Sequence, residues 1–337
     1  MSLLVNGVLI VPFIDILYRL KLQRADQKTK DLQNKHTPIF DKFHSHKAGT
    51  PVGGGILIVI ATVFLFGIGI WLLNVFGKDI TSNYQHIGSE IKILLFTFIS
   101  FAALGLYDDV KTIFVLDKKS FYGLRMWHKL IIEIILGAII SYWMVAELKI
   151  NIVNIPFVGV FDLDWAYVPF ATFVIVAFAN AVNITDGLDG LSAGVLTITL
   201  LAFWVISVTI LDTPLLVFIA VWLGGLIAFL YFNVNPARLF LGDTGALSFG
   251  ATFAIIGLLL GKTFTIPIIG GVFVVEIVTS LVQILSKRFR NGKKVFPAAP
   301  LHLWLQYLGW PEHKIVMRAW IFSLFFALVG LMIAFMK

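Results

Sequence analysis

The stretch VPFATFVIVAFANAVNITDGLDGLSAGVLTITLLAFWVIS, residues 168–207, joins two long apolar runs through a short polar connection. Each run is long enough to form a helix across the roughly 30 Å hydrocarbon core of a bilayer. The connection nevertheless carries Asp186 and Asp189 together with an Asn and several Gly. Because acidic residues are costly beside lipid, the stretch predicts two membrane-spanning helices joined by a functional turn.

The same alternation of apolar runs and short polar connections continues through the chain. Of its 337 residues, 59% are hydrophobic and 13% are charged, whereas about a quarter of a soluble domain is charged. The sequence therefore predicts an all-α, polytopic membrane protein with about ten transmembrane helices in a single domain over residues 1–337. The predicted spans are residues 3–19, 53–76, 91–107, 130–147, 165–182, 190–211, 214–232, 245–261, 266–286 and 315–336.

The distribution of positive charge predicts how these helices are oriented. Most of the 26 Lys and Arg residues lie in the odd-numbered connections, and such residues accumulate on the cytoplasmic side. Both termini are then outside. The same rule and the anionic lipid headgroups explain the net charge of +7, so nucleic-acid binding is not indicated. Residues 150–164 predict a small extracytoplasmic hairpin, and residues 299–310 predict an amphipathic interfacial helix.

With this topology, five polar motifs share the cytoplasmic face. They are HKAGTPVGGG (46–55), GLYDDVK (105–111), NITDGLDG (183–190), FNVNPARLFLGDTG (232–245) and PLHLW (300–304). Each motif alone has a structural explanation, such as a glycine turn or a solvated acidic pair. Their joint placement on one face instead favours a shared functional site.

The chemistry of these motifs points to a phosphate-bearing substrate. Clustered carboxylates repel each other unless cations intervene, and Mg²⁺ binds one or two carboxylates while leaving positions for substrate phosphates. The glycines allow backbone N–H groups to approach an anion. Lysines such as Lys47 and Lys129 would neutralise a diphosphate. A cation or proton transporter remains an alternative, but it would place its acids near the bilayer midplane.

These motifs, in this order, resemble the polyprenyl-phosphate N-acetylhexosamine-1-phosphate transferases from about Lys47 to the C-terminus. NITDGLDGLSAG and FNVNPARLFLGDTGAL are specific to that superfamily. KAGTPVGGG, APLH and GWPEHKIVMRAW favour its muramoyl-pentapeptide branch. The resemblance implies Mg²⁺-dependent transfer of phospho-MurNAc-pentapeptide from UDP-MurNAc-pentapeptide to undecaprenyl phosphate, which yields lipid I and UMP in peptidoglycan synthesis. It further implies a bacterial inner-membrane enzyme, surrounded by membrane lipids, with a cytoplasmic active site and a possible homodimer.

Residue roles follow from the resemblance position by position. Asp108 and Asp109 match the adjacent catalytic acids, Asp243 the Mg²⁺ ligand and His302 the first residue of a catalytic histidine triplet. The substrate-binding positions are matched by Lys47, Lys129, Asn183, Asp186, Asp189, Asn233, Phe240 and Gln283.

The chain departs from the family pattern at two informative places. Leu303 and Trp304 replace the second and third histidines of the triplet, and Glu133 stands where a glutamine is common. These departures leave the metal and diphosphate motifs intact but affect the expected donor contacts. A sibling transferase that moves GlcNAc-1-phosphate, or another HexNAc-1-phosphate, to a polyprenyl phosphate is therefore the alternative within the superfamily. A degenerate homologue that binds without catalysis is a further alternative.

Overall fold

A computed structural model describes residues 1–23, 43, 45–114 and 126–336. The basic stretch between Arg24 and Lys42, which contributes to the predicted orientation, lies outside the described residues. The described helices are α1 Ser2–Arg19, α2 Gly54–Val75, α3 Ile87–Phe114, α4 Met126–Leu148, α5 Tyr167–Thr185, α6 Leu191–Ile210, α7 Thr213–Asn233, α8 Gly242–Leu259, α9 Thr265–Ile269, α10 Gly271–Phe289, α11 Leu301–Tyr307 and α12 Glu312–Phe335.

The architecture confirms the prediction of an all-α polytopic membrane protein. Within the described part of the chain, nine helices have the length and apolar composition needed to cross a membrane. The predicted span at 266–286 differs from the others, because the chain breaks at Gly270 and a separate helix, α10, continues to Phe289. A Cβ atom at Gly271 would lie 2.7 Å from the ring of Phe326. The two glycines thus allow close packing that a continuous apolar pattern does not reveal.

The predicted hairpin is also present. Strands β1 (Ile152–Ile155) and β2 (Gly159–Asp162) pair antiparallel, with Ile152 opposite Asp162. Because α4 runs from Met126 to Leu148 before it, the hairpin follows the end of α4 that is distant from Lys129.

The predicted amphipathic helix forms as the short helix α11. Its buried side chains are His302, Leu303 and Gln306. Trp304 is only half-buried and Leu308 is exposed, so part of the apolar surface of this helix remains accessible. This arrangement is suited to a helix at a membrane interface.

Helix α8 forms the centre of the bundle, and nearly every one of its residues is buried. It packs most extensively against α3 and α5. Phe249 of α8 stacks on Phe98 with ring centroids 5.7 Å apart and lies 5.0 Å from the ring of Trp222. Since small residues let membrane helices approach closely, the glycines of α8 and its neighbours bring their polar ends together.

Gly105 marks the closest such approach, and its replacement by Ala is expected to destabilise the protein. A Cβ atom there would lie 2.1 Å from the carbonyl oxygen of Asp243, so α3 and α8 would have to separate. Overpacking of this kind costs about 1–3 kcal/mol, measurable as a lower melting temperature in detergent. Gly67→Ala is the matched control, because Gly67 is a helical glycine with nothing within 4 Å of its Cβ position. Equal melting temperatures for the two variants would contradict this packing.

Candidate active site

The ends of four helices meet at a lysine shared by two carboxylates. Lys129 Nζ of α4 donates to Asp243 Oδ2 of α8 at 2.6 Å and to Asp108 Oδ2 of α3 at 3.1 Å. Asn183 of α5 donates from Nδ2 to Asp243 Oδ1 at 3.1 Å. The side chain of Asp243 remains 25% exposed, so a ligand can reach its oxygens.

Asp109 has different partners from its neighbour Asp108. Its carboxylate accepts hydrogen bonds from the backbone N–H of Asp243 at 3.0 Å and of Thr244 at 2.9 Å, and from Thr244 Oγ1 at 2.8 Å. These donors lie in the first turn of α8, where backbone N–H groups lack intrahelical partners. Asp109 therefore joins α3 to the start of α8 and fixes the position of Asp243.

Asp186 extends the acidic basin at the end of α5. Burial raises its pKa to about 8, and the negative charge of Asp243 is the next largest cause, followed by Asp109 and Asp189. The positive charge of Lys47 lowers the pKa of Asp186. The acids that raise this pKa come from α8, from α3 and from the connection that carries Asp186 itself. The structure shows a direct convergence of carboxylates for Asp108 and Asp243, which both contact Lys129.

Lys47 and Asp189 form a second, buried group beside this basin. Lys47 Nζ donates to Asp189 Oδ1 at 2.7 Å and to Glu312 Oε1 at 2.5 Å. Asp189 Oδ2 accepts from Asn235 Nδ2 at 3.1 Å and from the backbone N–H of Ala237 at 3.0 Å. One lysine and two carboxylates thus connect the segments that precede α2, α6 and α8 with the first residue of α12.

Asn233 and Phe240 hold the adjoining loops in place. Asn233 Oδ1 accepts from the Gly190 N–H at 3.0 Å, and its Nδ2 donates to the Leu239 carbonyl at 2.9 Å. The Phe240 carbonyl accepts from the N–H groups of Gly53 and Gly54 at 3.2 and 2.9 Å. Both predicted pocket residues therefore order the glycine-rich segments around the site.

His302 lies in the first turn of α11 and reaches the site from the connection between α10 and α12. Its Nδ1 lies 2.9 Å from Glu276 Oε2, and its backbone N–H donates to Glu276 Oε1 at 3.2 Å. A Cβ atom at Gly187 would lie 2.5 Å from His302 Nε2. Glu276 thus orients the imidazole so that its other nitrogen faces the TDGLDG turn, where only a glycine leaves room for it.

The side-chain amide of Gln283 forms hydrogen bonds with the backbone of the loop that follows α10. Its Oε1 accepts from the backbone N–H groups of Val295 and Phe296, both at 3.0 Å, and its Nε2 donates to the Phe296 carbonyl at 2.7 Å. The structure therefore places Gln283 as an anchor for the loop before α11. Its predicted contact with substrate stays a prediction.

The oxygen-rich basin fits a hard divalent cation. In the described part of the chain, no group of three or more His, Cys, Asp or Glu side chains is arranged to enclose a metal. Mg²⁺ does not require one, since it keeps several waters and binds through one or two carboxylates plus substrate phosphates. Asp108 and Asp243 provide such carboxylates on either side of the Lys129 ammonium.

Comparison with known proteins identifies the family. The glycosyl transferase family 4 profile matches residues 91–261, which contain Asp108, Lys129, Asn183 and Asp243. Phospho-N-acetylmuramoyl-pentapeptide-transferases from Rickettsia akari and Rickettsia canadensis are each 36% identical over 324 residues, covering 90% of this chain and 85% of the relative. The Rickettsia bellii protein of the same name is 35% identical over 307 residues, covering 86% and 80%. The chain belongs to the phospho-N-acetylmuramoyl-pentapeptide-transferase family.

As a member of the phospho-N-acetylmuramoyl-pentapeptide-transferase family, the chain is a multi-pass membrane phosphoglycosyl transferase. The residues that the resemblance selected form two connected groups in this scaffold, one around Asp243 and one around Asp189. His302 contacts the turn between them, and Gln283 holds the loop that leads to His302.

Several residues that shape this transferase site were given no site role by the sequence interpretation. Glu276 orients His302, Thr244 contributes to the Asp109 contacts, and Glu312 pairs with Lys47. Trp320 donates from Nε1 to the Gly190 carbonyl at 3.1 Å. An acid in the first turn of a helix, such as Glu312 in α12, is ordinarily explained by its favourable interaction with the helix dipole. The sequence did not predict its ion pair with Lys47, which lies far away along the chain.

Proposed function

We propose that this chain transfers phospho-MurNAc-pentapeptide from UDP-MurNAc-pentapeptide to undecaprenyl phosphate, producing lipid I and UMP. The observation that carries the proposal is the convergence of Asp108 and Asp243 on Lys129, with Asn183 donating to the same Asp243 carboxylate. Relatives that bear this activity in their names extend over most of the chain.

Mg²⁺ is the proposed cofactor, with Asp243 as its ligand. When bound, the ion would neutralise negative charge on the transferred phosphate and the leaving UMP. Asn183 and Lys129 hold the two oxygens of Asp243, while Asp109 fixes the backbone at the same residue. The chain thereby orients the carboxylate before any substrate binds.

The transfer itself needs positioning and charge stabilisation rather than a protein nucleophile. An oxygen of the lipid phosphate attacks the phosphorus next to the sugar, a new P–O bond forms, and the bond to the UMP oxygen breaks. Asp108 is proposed to orient the lipid phosphate or accept its last proton, and Lys129 to stabilise the charge that develops. A single displacement accounts for this without an aspartyl-phosphate intermediate.

The proposed site faces the cytoplasm of a bacterium, at its inner membrane. The distribution of Lys and Arg supports this orientation, and the soluble nucleotide donor is present on that side. The exposed apolar side chains on the helices support contact with membrane lipids and a prenyl chain. The homodimer and the single domain over residues 1–337 remain predictions, which native mass measurement and limited proteolysis would test.

A donor panel tests the proposed activity. Purified protein supplied with Mg²⁺ and undecaprenyl phosphate is expected to release UMP from UDP-MurNAc-pentapeptide. Release from UDP-GlcNAc instead would assign the chain to the sibling transferases. Ion flux in proteoliposomes without any nucleotide sugar would favour the transporter alternative, and donor binding without turnover would indicate a degenerate homologue.

His302→Ala is expected to lower the rate of UMP release about 100-fold, a typical effect for a residue that takes part in proton transfer or phosphate contact. The reason is that Glu276 directs His302 Nε2 toward the TDGLDG turn. His86→Ala is a suitable control, because His86 is exposed in the loop before α3. A wild-type rate for His302→Ala would assign this histidine a purely structural role.

A further inference from the structure

A buried glutamate lies one helical turn beneath the Lys129 contacts. Glu133 of α4 is fully buried, and its Oε2 accepts a hydrogen bond from Asn180 Nδ2 of α5 at 2.5 Å. Its other oxygen, Oε1, has no hydrogen-bond partner among the described residues. Acids inside a membrane domain are costly and usually functional, yet the proposed chemistry does not use Glu133.

The position of this pair relates it directly to Asp243. Glu133 follows Lys129 by four residues on α4, and Asn180 precedes Asn183 by three residues on α5. Residues spaced by three or four lie on the same side of a helix. Lys129 and Asn183 each donate a hydrogen bond to an oxygen of Asp243. The Glu133–Asn180 hydrogen bond therefore joins α4 to α5 one helical turn away from Lys129 and Asn183, the residues that donate to the Asp243 carboxylate.

We propose that Glu133 and Asn180 are positioning residues, whose hydrogen bond sets the spacing of α4 and α5 so that Lys129 and Asn183 meet at Asp243. The proposal rests on the proposed transferase function. It assigns the catalytic importance of Glu133 to its hydrogen-bond acceptor rather than to its charge, so a glutamine at this position would serve equally well.

A second polar contact across the same helix pair provides an internal control. Thr172 Oγ1 of α5 donates to Ser141 Oγ of α4 at 3.3 Å, and both residues are buried. Ser141 lies two turns further along α4 than Glu133, away from Lys129. If polar contacts between α4 and α5 serve stability alone, the loss of either pair will have the same kind of effect.

The test compares isosteric variants in the UMP-release assay. Glu133→Leu and Asn180→Leu are each expected to lower kcat at least 10-fold with little change in the KM for the nucleotide donor. Glu133→Gln should stay within about threefold of wild type. Asn180→Asp sets two carboxyl groups against each other and should lose activity, which Glu133→Gln should restore in the double variant by reversing the hydrogen bond. Ser141→Ala should lower the melting temperature at most, with kcat unchanged.

Two outcomes would overturn the proposal. One is a wild-type kcat in Glu133→Leu with only a lower melting temperature, as for Ser141→Ala. The other is an equal loss of kcat in Glu133→Gln and Glu133→Leu, which would make charge the important property.

Thermal unfolding separates this proposal from the proposed function. If the wild type releases no UMP from any nucleotide sugar, the transferase proposal fails. The structural role of the Glu133–Asn180 hydrogen bond is then tested by the melting temperatures of Glu133→Leu, Asn180→Leu and the variant that combines these two changes. Non-additive losses would support the contact between the two side chains, and additive losses would refute it.

Discussion

Replacing Asp243 with Asn is expected to lower the rate of UMP release about 10³-fold, near the upper range for the loss of one electrostatic contact to a transition state. Asp243 lies where Lys129 and Asn183 converge, and it is the proposed Mg²⁺ ligand. An amide of the same size removes the negative charge but preserves the volume. Steady-state assays over a range of Mg²⁺ concentrations would measure the loss.

Asp79→Asn controls for the general effect of removing an acid, because Asp79 is exposed in the connection between α2 and α3. It should keep the wild-type rate. Asp243→Asn should elute from size-exclusion chromatography like the wild type, so that a lost rate reports on chemistry rather than on folding. A rate within a few-fold of wild type would remove Asp243 from the proposed metal site.

The second large effect is expected on stability. Asp109→Ala leaves two N–H groups and one hydroxyl at the start of α8 without their acceptor. A hydrogen bond to a charged group contributes about 1.5–3 kcal/mol, and loss of a helix N-terminal acceptor typically costs about 1 kcal/mol. Since these terms overlap, the variant should lose about 2–4 kcal/mol in unfolding free energy. Denaturant unfolding in detergent would measure it.

Asp108→Ala is the matched control for this effect. The two acids are adjacent in sequence, but Asp108 contacts Lys129, which keeps Asp243 as a second partner. It should therefore lose much less stability than Asp109→Ala while still losing transferase activity. Equal unfolding free energies for the two variants would contradict the different roles that their hydrogen bonds indicate.

The sequence did not predict that Asp108 and Asp109 have different contacts. The motif GLYDDVK presents the two acids as an equivalent pair. On an α-helix, however, consecutive residues point about 100° apart, so one side chain faces Lys129 and the other faces the first turn of α8. Which acid faces which neighbour depends on the rotation of α3 in the bundle, and that rotation is set by packing against α8 rather than by local sequence.

The spanning helices were predictable because their apolar runs are long and their connections are short. The break at Gly270 was not, since it lies within a continuous apolar run and the side chains packed closest to it, Phe178 and Phe253, are distant in sequence. The glycine-rich and acidic motifs likewise indicated one basin. The partners of Glu276 and Glu312 were not predictable, because each acts on a residue more than twenty positions away in sequence.

The central claim is that acids from separate helices form one basin that binds a divalent cation with a diphosphate. Mn²⁺ suits carboxylate sites as Mg²⁺ does, so electron paramagnetic resonance can count the Mn²⁺ ions bound in the presence of UDP-MurNAc-pentapeptide. We expect one ion per chain in the wild type and in Asp79→Asn, and its loss in Asp243→Asn. Equal Mn²⁺ binding by the wild type and Asp243→Asn would contradict the claim.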